Sequence, residues 1–289
     1  MSLKKLARKK TRFYNRLTGT ILKLRGNAMI YGPTGSGKSR AVLDAFKEMI
    51  KRGELDTYFK LTMSPGVEDV DLITKFVPAE NGGVTKSKGL LRQAYELASR
   101  GQRVGILIDE INRATPRATN LILTAIDPVE GEYLLVDFVE GDEVRVPLAN
   151  LKVMATANMG ASYSGTNRLD EALLDRFQHT IYWGYDNGLE ERIVGEEHSW
   201  VLDMAQALRN EYREGNLRSP LSTRHIAGFI EELRQVKNVT SGTVIKAAMN
   251  TFVYRLVGVD PYGFPNREEL DLVKNHIAKA FREREKGGE

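Results

Sequence analysis

The octapeptide Gly32-Pro33-Thr34-Gly35-Ser36-Gly37-Lys38-Ser39 carries more structural information than any other segment of this sequence. Two glycines five apart, followed by Lys and a hydroxyl residue, form the pattern of a phosphate-binding loop. Its flanks are what such a loop requires. Asn27–Tyr31 reads as a short apolar strand. The segment Lys38–Arg52 places Ala41, Val42, Ala45, Phe46, Met49 and Ile50 on one helical face, with Gly53 as the stop. In a strand–turn–helix of this kind the glycines let successive backbone N–H groups point at phosphate oxygens, and the helix N-terminus adds partial positive charge. Gly32, Pro33, Thr34, Gly35, Ser36 and Gly37 are thus the expected cradle. Lys38 reaches the β- and γ-phosphates, and the Ser39 hydroxyl completes a Mg²⁺ shell.

Outward from the loop, short apolar runs alternate with helical patterns, which predicts an α/β fold with a mostly parallel sheet and crossover helices. The expected strands are Asn27–Tyr31, Tyr58–Thr62, Val104–Ile108, Lys152–Ala157 and His179–Trp183. Leu90–Arg100 reads as a helix, and Thr115-Pro116 as cap and first turn of another running to Ile126. Two stretches interrupt the rhythm. Ser64–Lys88, rich in Gly, Pro, Asn and Asp, reads as a partly structured insertion. Leu134, Val136 and Phe138, then Glu140-Gly141-Asp142, then Val144, Val146 and Leu148, read as a β-hairpin. After Trp183 a linker around Gly184–Gly188 leads into four helical patterns, near Leu189–Glu214, Thr223–Val236, Ser241–Leu256 and Arg267–Arg284. The expected division is a basic arm over 1–25, an α/β core over 26–186 and a helical domain over 187–289.

The third strand ends in Asp109 and Glu110. At the carboxyl end of a parallel strand Asp109 faces the crevice where ligands of open α/β sheets bind, and can hold the Mg²⁺ shell. Glu110 is placed to orient or deprotonate an attacking water, which is what separates a hydrolase from a nucleotide binder.

Composition narrows the remaining classes. The 289 residues contain no cysteine, so there is no disulfide framework and no thiolate zinc site, and the four histidines are far apart. No apolar run approaches a membrane span and no secretory h-region opens the chain, so a cytoplasmic location is expected. The net charge of +4 is unevenly spread: residues 1–25 hold nine Lys or Arg and no acid, leaving thirty-three bases against thirty-eight acids in the rest.

The motifs together resemble the AAA+ ATPases, and within them the MoxR-type branch that includes NorQ/CbbQ-like and GvpN-like proteins. The resemblance covers residues 26–230. It rests on the GPTGSGKS loop, Ile106–Ala114 (ILIDEINRA), Lys152–Gly160 (KVMATANMG), and Tyr163-Ser164-Gly165-Thr166 leading into Leu169–Phe177 (LDEALLDRF). It implies a five-stranded core sheet of order 5-1-4-3-2 with the helical domain as its lid. By motif position Asn158 resembles the sensor-1 residue that holds the attacking water or γ-phosphate. Arg176 resembles the arginine finger reaching into a neighbour's nucleotide, with Arg168 as competitor and Arg113 a further boundary residue. Arg224 resembles sensor 2, with Thr223 as the expected cap of its helix, and His225 reads as helix surface or lid packing, not catalysis. Ser64–Lys88 and 132–148 become inserts that engage a partner.

The function implied is a ring, most simply a hexamer, that hydrolyses ATP with Mg²⁺ at subunit interfaces to remodel, activate or assemble a protein client, in the manner of a MoxR-like chaperone. Such proteins act with a partner bearing a von Willebrand factor A domain. The alternative is a nucleic-acid-associated motor recruited through residues 1–25, where Phe13 and Tyr14 interleave with Arg12 and Arg16.

Overall fold

The computed structural model describes residues 16–80, 82–158 and 171–286. Most of the basic arm, Asn81 and the segment 159–170, with Tyr163-Ser164-Gly165-Thr166 and Arg168, lie outside them. Helix α1 (Arg16–Ile21) buries Leu17 and Ile21, and its Thr18 hydroxyl donates to the Ala41 carbonyl. Strand β1 (Ala28–Gly32) leads through the glycine-rich loop into α2 (Lys38–Lys51), which buries Ala41, Val42, Ala45, Phe46 and Met49. There follow β2 (Thr57–Thr62), α3 (Asp69–Leu72), β3 (Thr74–Pro78), β4 (Val84–Lys88) and α4 (Leu90–Ser99). Next come β5 (Val104–Asp109), α5 (Pro116–Ile126), β6 (Glu132–Asp137), β7 (Asp142–Pro147), β8 (Leu151–Asn158), α6 (Glu171–Asp175) and β9 (His179–Tyr182). Helix α5 starts as its sequence demands: the Thr115 hydroxyl accepts from Ala118 N–H and Pro116 opens the first turn.

Five strands form one parallel sheet in the order β2-β5-β8-β1-β9. Every residue of β5 is buried and β8 is nearly so, as expected of strands covered on both faces. The strand β5 pairs with β2 from Thr57 opposite Val104 to Thr62 opposite Asp109. It pairs with β8 from Val104 opposite Leu151 to Ile108 opposite Ala155. Asn27, buried just before β1, donates its side-chain N–H to the Tyr133 hydroxyl and accepts from Val153 N–H.

The insertion Ser64–Lys88 is more ordered than its composition suggests: it folds as α3 followed by the antiparallel hairpin β3–β4. The second hairpin is β6–β7. Helix α4 anchors both. Its Arg92 clasps Asp142 of β7 with two hydrogen bonds of 2.6 and 2.8 Å, Glu96 receives Lys88 of β4 at 2.7 Å, and Lys86 of β4 meets Glu140 of the second turn at 2.9 Å. The outward faces of the two hairpins expose Phe76, Val84, Val136 and Phe138, each at least half accessible.

By internal contacts the described chain divides into two compact units. One contains residues 16–29, 38–156 and 171–180; the other contains 30–37, 157–158 and 181–286. The second unit is helical beyond β9: α7 (Asn187–Val194), α8 (Trp200–Arg213), α9 (Thr223–Gln235), α10 (Ser241–Ala248), α11 (Tyr254–Leu256) and α12 (Arg267–Lys286). The pattern near Leu189–Glu214 reads as one helix, but Gly195 at φ 73 breaks it, a conformation costly for other residues. Ser241–Leu256 is also interrupted, by a π-helical stretch at Met249–Val253 where the Thr251 hydroxyl bonds back to the Ala247 carbonyl at 2.8 Å. Edge-to-face contacts join Trp200, Phe229, Phe252 and Phe281 at the centre.

A buried ion pair fastens three of these helices. Arg209 of α8 meets Glu190 of α7 at 2.6 and 2.8 Å, donates to the Leu221 carbonyl at 2.9 Å and lies 3.9 Å over the Tyr185 ring, while the Thr223 hydroxyl donates to Glu190. Removing one partner strands a charge without its counter-ion. Glu190→Ala should therefore cost about 3–5 kcal/mol of stability by denaturant unfolding, whereas the double replacement Glu190→Leu with Arg209→Leu should cost far less.

Candidate functional site

In the first unit, strand and helix ends gather a compact set of polar groups. Strand β5 delivers Asp109, buried at 6% exposure, to its carboxyl end. The Ser39 hydroxyl, in the first turn of α2, donates to Asp109 Oδ1 at 2.5 Å, and the Thr156 hydroxyl of β8 donates to the same oxygen at 2.5 Å. Lys60 of β2 brings its ammonium to 2.8 Å from Oδ2. Burial works to raise the Asp109 carboxyl, but the hydrogen bonds from Lys60, Ser39 and Thr156 outweigh it and hold the group below its ordinary range. Lys38 is buried; loss of solvent lowers its ammonium to about 8, although Asp109 and Glu110 pull the other way.

Glu110 sits in the left-handed region at φ 58 and ψ 43, so it leaves the strand direction where β5 ends. Its backbone N–H donates to the Thr156 hydroxyl at 3.2 Å, and its carboxylate pairs with Arg113 at 2.8 Å. Asn158 is the last residue of β8, two positions beyond Thr156 and on the same side of that strand. Arg176 follows α6 and pairs with Asp127 at 2.9 Å, with both side chains more than 40% exposed.

The second unit holds the glycine-rich loop. Gly35 takes φ 67, and a Cβ there would lie 2.6 Å from the Ser222 Cβ and 3.7 Å from that of Arg224. The loop therefore passes directly against the first turn of α9, which carries Arg224. The Ser36 hydroxyl donates to the Pro33 carbonyl at 3.0 Å, and the Tyr185 hydroxyl to the Thr34 carbonyl at 3.3 Å. Thr34, Gly35, Ser222, Arg224, His225 and Arg255 line part of a cavity of about 720 Å³. The cap of α9 is Ser222 and not Thr223. The Ser222 hydroxyl accepts from His225 N–H at 3.2 Å, and Ser222 N–H reaches back to His225 Nδ1 at 3.4 Å. Thr223 is left free of the cap to bind Glu190.

The donor set suits Mg²⁺. A Ser hydroxyl and a carboxylate, both hard oxygen ligands, converge at 2.5 Å. Among the described residues no group of three or more His, Asp or Glu could hold a metal unaided. An ion here would complete its shell from phosphate oxygens and water, as Mg²⁺ does at nucleotide sites.

No motif singles out Lys60 or Thr156. Strand periodicity is the signal that reaches them: Thr156 shares a face of β8 with Asn158, and the register of β2 sets Thr62 opposite Asp109, with Lys60 two residues behind on the same face. His225, which reads from sequence as surface or packing, is the reciprocal partner of a helix cap.

Burial, then the charges of Arg255 and Arg224, depress the His225 imidazole to about 4. Folded His225 thus stays neutral where an unfolded one protonates, so the folded state loses stability as pH falls from about 6.5 toward 4. The melting temperature of the wild type should fall over that window by more than that of His225→Gln, and parallel curves for the two proteins would contradict the assignment.

The chain has no match among curated proteins. A crystal structure at 2.00 Å of a Cytophaga hutchinsonii protein, described as a "putative ATPase", is 18% identical, with 92% of this chain and 86% of that one covered at a TM-score of 0.41. That likeness is too low to carry a functional argument. A family model described as "AAA domain (dynein-related subfamily)" matches residues 27–177, which contain the glycine-rich loop, Asp109, Glu110, Asn158 and Arg176. That match takes in more than half of the 289 residues, and the chain belongs to the dynein-related AAA domain family as an ATP-hydrolysing P-loop enzyme.

Proposed function

We propose that this enzyme works as a ring, most simply a hexamer, of the MoxR-type branch, using ATP and Mg²⁺ at subunit interfaces to remodel, activate or assemble a protein partner. The observation that carries the reading is the meeting of Ser39 and the Asp109 carboxylate at 2.5 Å beside a buried Lys38. These groups match what a nucleoside triphosphate presents, a polyanion with a hard cation. When bound, Mg²⁺ would neutralise charge on the β- and γ-phosphates, held by Ser39 and Asp109. Gly32, Pro33, Thr34, Gly35, Ser36, Gly37 and Lys38 form the phosphate cradle, with the backbone N–H groups of its non-proline residues and the Lys38 ammonium as donors. Glu110, released from Arg113, accepts a proton from the attacking water, and Asn158 orients that water.

Arg224 and Arg176 complete the assignment. A cation in the first turn of α9 opposes the helix dipole and is favoured only against an anion; the γ-phosphate is that anion, and Gly35 lies beside the same turn. Arg176 acts as the finger on a neighbouring subunit. Its exposed pair with Asp127 is of the kind worth about 0–1 kcal/mol, so a developing phosphoryl charge competes for it readily. Residues 187–289 serve as the lid. The exposed apolar faces around Phe76, Val84, Val136 and Phe138 support contact with a client or with a von Willebrand factor A-domain partner.

Two experiments test the reading. Glu110→Gln should bind ATP as the wild type does yet lose at least about 100-fold in turnover; retained turnover would remove Glu110 from the chemistry. Lys38→Ala and Arg176→Ala, each inactive alone, should regain part of the activity when mixed, and specific activity should rise with protein concentration. Concentration-independent turnover without rescue would overturn the finger in trans.

A further inference from the structure

Backbone pairing between β5 and β8 runs in register up to Ile108 opposite Ala155. The next rung is built by a side chain. Thr156, 1% exposed, places its hydroxyl between two neighbours: it donates to Asp109 Oδ1 at 2.5 Å and accepts from Glu110 N–H at 3.2 Å. A hydroxyl has one proton and two lone pairs, so the single proton is committed to the carboxylate and one lone pair to the peptide. Both contacts bear on groups with little freedom to spare. Asp109 divides its two oxygens between hydroxyl donors on one side and Lys60 on the other. Glu110 adopts the left-handed conformation, which a non-glycine residue keeps where its surroundings hold it there.

We infer that Thr156 is a positioning residue for the ATPase centre. Its hydroxyl fixes the orientation of the Asp109 carboxylate and the turn at Glu110 together, so that the metal-accepting oxygen and the water-facing carboxylate are set by one group on the neighbouring strand. The inference rests on the ATP-hydrolysing reading of Asp109 and Glu110. A Thr retained only to fill space would predict the opposite, since Val has the same shape and packs equally well at a buried strand position.

The test uses the full chain with Thr156→Val, which removes only the hydroxyl, and Thr156→Ser, which retains it. The first measurement is the Mg²⁺ concentration giving half-maximal binding of a fluorescent non-hydrolysable ATP analogue, set against binding in excess chelator. The second is kcat and KM for ATP. Groups that hold a ligand from behind are worth about 10–100-fold in metal affinity or activity. Thr156→Val should therefore raise the Mg²⁺ midpoint at least about 10-fold and lower kcat by a similar factor. Analogue binding in chelator and the KM should stay near the wild-type values, and Thr156→Ser should restore both the midpoint and kcat. A wild-type midpoint in Thr156→Val overturns the proposal, as does a Thr156→Ser as impaired as the Val variant, because packing would then be the cause. Should Thr156→Val fail to fold by circular dichroism, Thr156→Ala is read by the same criteria. A wild type that binds the analogue with Mg²⁺ but does not turn over refutes the hydrolytic reading alone, and the Mg²⁺ midpoint still decides the role of Thr156.

Discussion

The buried Asp109 carboxylate is the constraint around which the first unit is organised. An apolar strand sealed on both faces ends in a charge that cannot be left in a low-dielectric setting without partners. Three neighbours supply them, each from a different element: Ser39 from α2, Lys60 from β2 and Thr156 from β8. That requirement fixes relations that apolar packing leaves loose. Strands β2, β5 and β8 must share a register in which their carboxyl ends coincide, and α2 must begin at the height of that edge. The strand order places β2 and β8 on either side of β5 and thereby satisfies the first condition. The glycine-rich loop satisfies the second by ending where Lys38 and Ser39 open the helix.

In the second unit the corresponding fixed point is Glu190. Its partners, Arg209 and Thr223, tie α7 and α8 to the first turn of α9. The Ser222–His225 cap then closes that turn, and Gly35 approaches it so closely that a side chain at position 35 would clash with Ser222. The placement of Arg224 therefore follows from a buried ion pair and from a cap whose two partners flank it, while Arg224 itself is exposed. A surface cation is held in register by buried and half-buried groups.

These two fixed points mark what the amino-acid sequence reveals and what it hides. The strand–loop–helix around Gly32–Ser39 and the acidic end of β5 are local: glycine spacing, an amphipathic face and an apolar run each act within about a dozen residues, so motif and period suffice. The hairpin β6–β7 is legible for the same reason, as strict alternation on either side of Glu140-Gly141-Asp142. Lys60 and Thr156 are not, because their importance comes from register between strands separated by tens of residues, and a Lys or Thr in a strand carries no local mark of it. The break at Gly195 is a different kind of miss. A glycine inside a helical pattern is compatible with a continuous helix, and only its positive φ turns it into a stop. Arg176 shows that the partner of a charge is not legible from its neighbours in sequence: it follows α6, yet it pairs with Asp127 at the end of α5, some fifty residues earlier.

The charge distribution acquires a different sense once the polar groups are located. A net of +4 invites a search for an anionic partner of the whole protein, but all of the excess lies in residues 1–25, and the remainder carries more acids than bases. Recognition of a polyphosphate does not need a positive domain. It needs a few cations whose solvent has already been removed. Lys38 is such a cation: it is buried, and burial depresses its ammonium to about 8 although Asp109 and Glu110 pull the other way. Asp109 divides its oxygens among Lys60, Ser39 and Thr156, and Glu110 pairs with Arg113. On the proposed reading, phosphate oxygens meet this cation at the start of α2, where the helix N-terminus adds partial positive charge. The charge that such a ligand meets is local and lies where solvent is already excluded, so the sign of the net charge over the rest of the chain does not decide whether a polyphosphate can bind.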